Sequence, residues 1–174
     1  MPSTYTLISS NVLSSNASSV TFSAIPSTYT DLVLRISARD TYSGTPDAIL
    51  YLQINSSTNS YSDTVLYGTG ASVGSYRNAA PGNSGTENYG VTGATATANT
   101  FGNLEIYIPN YAGSTPKVFS SFGVPETNAT TFNFGMATVA SLSSVTAAIT
   151  QLVIKPSINF VSGSSFYLYG IKNS

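Results

Sequence analysis

Apolar residues in this chain return at every second position and almost nowhere at every third or fourth. In DLVLRIS, Leu32, Leu34 and Ile36 alternate with Asp31, Val33, Arg35 and Ser37. That is the pattern of a strand with one dry face and one wet face. The same alternation puts Leu50, Leu52 and Ile54 on one face of DAILYLQIN, and Leu104, Ile106 and Ile108 on one face of NLEIYIPN. It pairs Leu152 with Ile154 in QLVIKPS, and Phe166 with Leu168 in SSFYLYGIK. Weaker candidates are TYTLISSNVL, SVTFSAI, DTVLYGTG, KVFSSFGV and FNFGMATVA, with Pro, Gly, Asn and Ser clusters as turn chemistry between them. ASLSSVTAAIT could be a short helix or a strand, and its Ser and Thr content favours the strand.

About ten short strands with regular punctuation make an all-β domain. Parallel sheets need long, usually helical crossovers, and none is available. The expected fold is therefore an antiparallel β-sandwich occupying residues 1–174 as a single domain, with a jelly roll as first choice in that class. One segment breaks the rhythm. Gly68 to Thr100 is Gly/Ser/Thr-rich and nearly aperiodic. It reads as a long loop at 68–100 holding one or two short strands. The sharper alternative is a loop that orders against a neighbour or ligand through Tyr76, Arg77, Glu87 and Tyr89.

Only 7% of the 174 residues are charged, against ~25% in ordinary domains. Ser and Thr, 51 together, fill the surface instead. Such a surface stays wet yet repels its neighbours weakly, which suits packing against copies or a partner. The six basic residues are scattered, so no nucleic-acid partner is expected. No stretch approaches the length of a membrane helix, and the N-terminus lacks the basic-then-apolar order of a signal peptide.

The chain has no Cys and no His. Disulfides, thiolate metal sites and the Ser-His-Asp triad are excluded. Seven carboxylates show no spacing that marks a catalytic pair, so no enzyme and no cofactor are expected. Asp40 and Asp47 share one turn region, a faint calcium signal. The twelve tyrosines could form a sugar platform, though rings buried on strands with wet hydroxyls are the plainer expectation.

The stretch IPSTYTDLVLRISARD concentrates four of the thirteen charges: Asp31, Arg35, Arg39 and Asp40. The expectation is a solvated outer face of one strand; a subunit contact through Arg35 and Arg39 is the alternative. Val33, Ile49, Tyr107, Val153, Tyr167 and Tyr169 would leave the second faces of these strands apolar as well. Monomers seldom expose such surfaces. A homo-oligomer follows, a trimer by closed symmetry, with Val33, Arg35, Arg39, Arg77, Tyr107, Tyr167 and Tyr169 as candidate interface residues.

SSVTFSAIPSTYTDLVLRISAR, LYLQIN, YSDTVLYGTG, NTFGNLEIYIPNYAGSTPK and AITQLVIKPSINFVSGSSFYLYGIKNS together resemble a group of short virion structural proteins of tailed phages, frequent in marine and cyanobacterial phages. The most specific parts are IPSTYTDLVLR and SSFYLYGIK. The resemblance implies a virion protein assembled in the host cytoplasm, and supplies no catalytic residues. The expected role is an outer capsid decoration protein that docks on the major capsid protein or other virion proteins. A head or tail fibre component that binds host glycans is the alternative.

Overall fold

The protein, a computed structural model, is described at residues 4–58, 61–79, 85–126 and 134–172. Twelve strands follow one another: β1 (Tyr5–Val12), β2 (Val20–Phe22), β3 (Asp31–Ala38), β4 (Asp47–Ile54), β5 (Tyr61–Gly68), β6 (Val73–Ala79), β7 (Thr86–Thr92), β8 (Gly102–Ile108), β9 (Lys117–Val124), β10 (Met136–Ser143), β11 (Leu152–Pro156) and β12 (Ser165–Ile171). No helix occurs among the described residues. The strands form an eight-stranded sheet, β1-β12-β3-β8-β9-β10-β5-β6, and a four-stranded sheet, β2-β11-β4-β7, with every ladder antiparallel. This is the expected antiparallel sandwich. A jelly roll shares eight strands between two sheets; the eight-and-four division here does not establish that form.

The alternation read from the sequence fills the core. Leu34, Ile36, Leu50, Leu52, Leu104, Ile106, Leu152, Ile154, Phe166 and Leu168 are all buried between the sheets. Ile25, Tyr111, Ile149 and Phe160 join them from outside the strands. Burial of large apolar side chains at roughly 1.5–3 kcal/mol each is the main term holding the two layers together.

The segment expected as a loop at 68–100 holds two seven-residue strands, β6 and β7. Its aperiodicity has a physical cause. Six of the seven residues of β7 are buried, on both faces, so no wet position marks the alternate residue. One face lies over β8, β9 and β10. There the backbones approach so closely that only glycine fits. A Cβ on Gly123 would stand 1.5 Å from the Tyr89 carbonyl, and one on Gly102 2.3 Å from the Gly90 carbonyl. On the other side β5 and β6 reach round the edge of β7 and enclose a second small core of Val65, Tyr89, Ala137 and Val139.

The charges of residues 31–40 are mostly internal, which corrects the solvated-face expectation. Arg39 is buried because residues 94–100 fold over it. Its guanidinium donates to the carbonyls of Ala94, Ala96, Thr97 and Thr100 at 2.8–3.1 Å. Asp40 is fully buried and accepts the backbone N–H of Tyr42, Ser157, Ile158 and Asn159; this backbone role replaces the faint calcium reading. Asp31 accepts the Tyr107 hydroxyl and the Asn110 amide. Arg35 alone stands in solvent, paired with Glu105 at 2.9 Å. Outside the stretch, buried Lys117 donates to the carbonyls of Gly113, Thr115 and Thr146. Burial pushes its ammonium pKa down.

Gly123→Ala should destabilise the fold by at least ~2 kcal/mol in urea titration, since the methyl group meets rigid backbone. Gly113→Ala meets only the exposed Asn110 side chain and should cost under ~1 kcal/mol. Equal midpoints for Gly123→Ala and the parent would contradict the close sheet contact.

Candidate interaction face

The outer face of the large sheet is built from two cross-strand rows that run its full width. One row is Ser10, Tyr167, Arg35, Glu105, Phe122, Thr138, Leu66 and Ser75. The next is Leu7, Tyr169, Val33, Tyr107, Ser120, Ala140, Thr64 and Arg77. Six of the seven residues singled out from the sequence therefore share one face, although they lie on β3, β6, β8 and β12. Arg39 does not; the carbonyls around it leave nothing for a partner.

The two halves of this face differ in character. Over β1, β12, β3 and β8 it is aromatic and polar. Tyr5 packs edge-on to Tyr169, and Tyr107 donates to Asp31, which raises the Tyr107 hydroxyl pKa. A groove of about 310 Å³ runs between Arg35, Ser37, Asn103, Glu105, Ser165 and Tyr167. Val33, expected in the open, is only 2% exposed within the single chain. It stands in register between Tyr169 and Tyr107, whose larger side chains shield it. Arg35 and Glu105 satisfy one another, and an exposed pair of this kind contributes no more than ~1 kcal/mol.

Over β9, β10, β5 and β6 the same face carries exposed large apolar residues in two groups, parted by the row Ser120, Ala140, Thr64 and Arg77. Leu66, Val73, Val118, Phe122, Met136 and Leu142 are exposed by between 40% (Leu142) and 85% (Val73). Leu66, Val73, Phe122 and Met136 line a nearly wholly apolar groove of about 430 Å³. Sequence reasoning missed these six. In KVFSSFGV the buried set is Lys117, Phe119, Ser121 and Gly123, while Val118 and Phe122 face out. Apolar residues stand on both parities, so alternation could not choose the face.

Three of the four groups suggested for the 68–100 segment meet, but inside the protein. The Tyr76 and Tyr89 hydroxyls lie within hydrogen-bonding distance of one another and of Glu87 Oε2, at 3.2 and 3.1 Å from it, so their two protons serve three contacts. Phe134 packs on Tyr89 and Tyr67, with ring centroids 4.1 and 4.7 Å apart. Burial, with the charge of Glu87 nearby, pushes Tyr76 up to about 12 and raises Tyr89 as well. Arg77 instead projects from β6 into solvent on the outer face of the large sheet.

A third groove, of about 270 Å³, opens at the head of β4. Tyr42, Thr45, Asp47, Ala48, Ile49, Tyr51, Phe134 and Ser157 line it. Thr45 donates to the Asp47 carbonyl at 2.6 Å, while the Ser157 hydroxyl accepts from the Ile49 amide and donates to its carbonyl. Asp40 ties both walls, since it accepts the amides of Tyr42 and Ser157. No group of three or more His, Cys, Asp or Glu that could hold a metal occurs among the described residues.

No protein-family model matches the sequence, and no curated protein matches it. Among solved structures, a protein of unknown function from Shewanella oneidensis MR-1 is 8% identical over 87% of this chain, with a TM-score of 0.25. The binding domain of botulinum neurotoxin DC, solved in complex with SialylT, is 9% identical over 92% of the chain at a TM-score of 0.26. The botulinum neurotoxin type G receptor binding domain is 12% identical over 95% at 0.20. The chain spans 62%, 39% and 43% of the length of these three. Likenesses this slight carry no argument about fold or function.

Asp63 lends the region a pH signature. It is buried on β5 and accepts the Glu87 amide at 2.9 Å. Its other oxygen meets no donor in hydrogen-bonding geometry among the described residues, although Ser141 stands beside it across the strand pair. Burial pushes its carboxyl up to about 6 from 3.8. A carboxyl that holds its proton more tightly when folded makes folding more favourable as pH falls from 6 towards 4, and its penalty is fully present above pH 6. Asp63→Asn should therefore raise stability at pH 7 by about 2–3 kcal/mol, and the two proteins should converge near pH 4. Parallel stability curves from pH 4 to 8, measured by urea titration, would refute this.

Proposed function

We propose that this chain is a structural protein of a phage virion that works by surface-to-surface assembly through the outer face of its large sheet. In this reading it is a capsid decoration protein that self-associates as a trimer and docks on the major capsid protein or another virion protein. The observation that carries it is the open apolar patch of Leu66, Val73, Phe122 and Met136, which line one groove, with Val118 and Leu142 exposed beyond a polar row on the same face. Each of these side chains leaves about half of its 1.5–3 kcal/mol of burial still to be gained. Contiguous exposed apolar patches mark interaction sites in soluble proteins. A net charge of −1 adds little repulsion between copies. The resemblance to tailed-phage structural proteins supports the virion setting, and a trimer suits the local three-fold positions of an icosahedral shell.

The alternative, a fibre component that recognises host glycans, is favoured by a different place: the aromatic groove at the head of β4, where Tyr42, Tyr51 and Phe134 come together. Copy number separates the two roles. Quantitative gels of purified particles should show hundreds of copies of a decoration protein; a handful would remove that role.

Self-association has its own test in sedimentation. The parent protein should form an oligomer, alone or with its capsid. Phe122→Asp and Leu66→Asp should each weaken it by at least ~10-fold, because a charge then enters a dry contact. Thermal unfolding of both variants should match the parent, since both side chains point away from the core. A parent that stays monomeric in both settings at high concentration would overturn the assembly reading.

A further inference from the structure

We propose that the groove at the head of β4 binds a neutral sugar ring, an inference that rests on the glycan reading and is independent of the assembly reading. A sugar ring presents C–H groups on its faces and hydroxyls on its edge. It is held where aromatic rings and a few fixed polar groups converge in a concave site. Tyr42, Tyr51 and Phe134 supply three rings around about 270 Å³, a single-ring space at the small end of ligand sites. The hydroxyls of Tyr42 and Tyr51 have no hydrogen-bond partner in the chain among the described residues; burial, with the charge of Glu87 opposite it on β7, raises the Tyr51 pKa. Both hydroxyls are left to bond a ligand.

The rest of the lining is already satisfied and so holds its shape. Thr45 and Ser157 are spent on backbone groups of β4. Asp40 locks the Tyr42 and Ser157 walls from beneath, through two amides at 3.0 and 2.7 Å. Phe134 is seated by Tyr89 and Tyr67. A site fixed in advance loses little entropy on binding. No basic side chain lines the groove among the described residues; Lys155, the neighbour of Tyr51 on β11, stands outside the lining. Buried Asp47 adds a carboxylate. This carboxylate, with Glu87 opposite Tyr51, favours an uncharged ligand over an acidic one. The other two grooves lack this combination: one carries a self-paired Arg–Glu bridge, and the other has almost no polar surface.

The test is titration of the protein with the methyl glycosides of glucose, galactose, mannose and N-acetylglucosamine, and separately with glucuronate, followed by NMR of the aromatic resonances. At least one neutral glycoside should saturate with a millimolar Kd and shift Tyr42, Tyr51 and Phe134. Tyr51→Phe and Tyr42→Phe, which remove only a hydroxyl, should each weaken it about 5-fold without changing the melting temperature. Phe122→Asp should bind as the parent does, which keeps this result separate from self-association. Glucuronate binding that exceeds every neutral glycoside and is lost in Lys155→Met would overturn the neutral-sugar assignment while leaving the glycan reading in place. No saturable shift with any of the five probes would remove both.

Discussion

A charge taken out of water must be surrounded by opposite partial charges, and in this protein those partners are almost all backbone. Arg39 meets four carbonyls and Lys117 meets three. Asp40 meets four amides. An unsatisfied buried charge would cost several kcal/mol, so each of these side chains dictates where its loop must lie. A sandwich with no helix among its described residues has long connections whose N–H and C=O groups belong to no ladder. One buried ion satisfies several such groups at once and fixes the segment in place. The concentration of charge at residues 31–40 is therefore architectural: Asp31 fixes the turn after β8, Arg39 the turn after β7, and Asp40 the turn after β11.

The unequal sheets follow from what lies over what. Four strands cannot cover eight. The small sheet buries the inner face of the large one, and β5 and β6 then reach past it to enclose β7. The Gly90, Gly102 and Gly123 contact lets β7 sink against β8 and β9 until the backbones touch. No second layer remains for the outer face of the large sheet. Its aromatic half shields itself, as Tyr107 and Tyr169 do for Val33. Its other half has one outward ring, Phe122, with Thr138 beside it on β10, and so stays open.

Much of the frame was legible because β3, β4, β8, β11 and β12 carry large aliphatic residues at alternate positions. Wherever one face must be dry and the other wet, a period of two leaves one solution. β7 was illegible because both its faces are dry, and β9 because small residues, Ser121 and Gly123, lie inside where β7 presses close. The candidate face was half legible. Tyr107, Tyr167, Tyr169 and Arg35 stand opposite clear aliphatic rows, so their outward direction followed. Leu66, Phe122 and Met136 are outward apolar residues on strands whose inward residues include Asp63, Ser141 and Ser121, an inversion no alternation rule anticipates. Arg39 was misplaced because a sequence shows that a residue is charged and says nothing of a distant loop folding over it.

The guanidinium of Arg39 contacts main-chain oxygens of Ala94, Ala96, Thr97 and Thr100, together with one threonine hydroxyl. Carbonyl oxygens are common to all twenty amino acids. The cap over Arg39 is thus indifferent to most side chains it carries, and the Asp40 clamp treats Ser157, Ile158 and Asn159 in the same way. Segments held by such anchors can exchange surface residues freely while keeping their path. A protein built this way can present a changing exterior to its surroundings on an unchanging frame, with the freedom to vary residing in the loops and the obligation to stay constant in single ions beneath them.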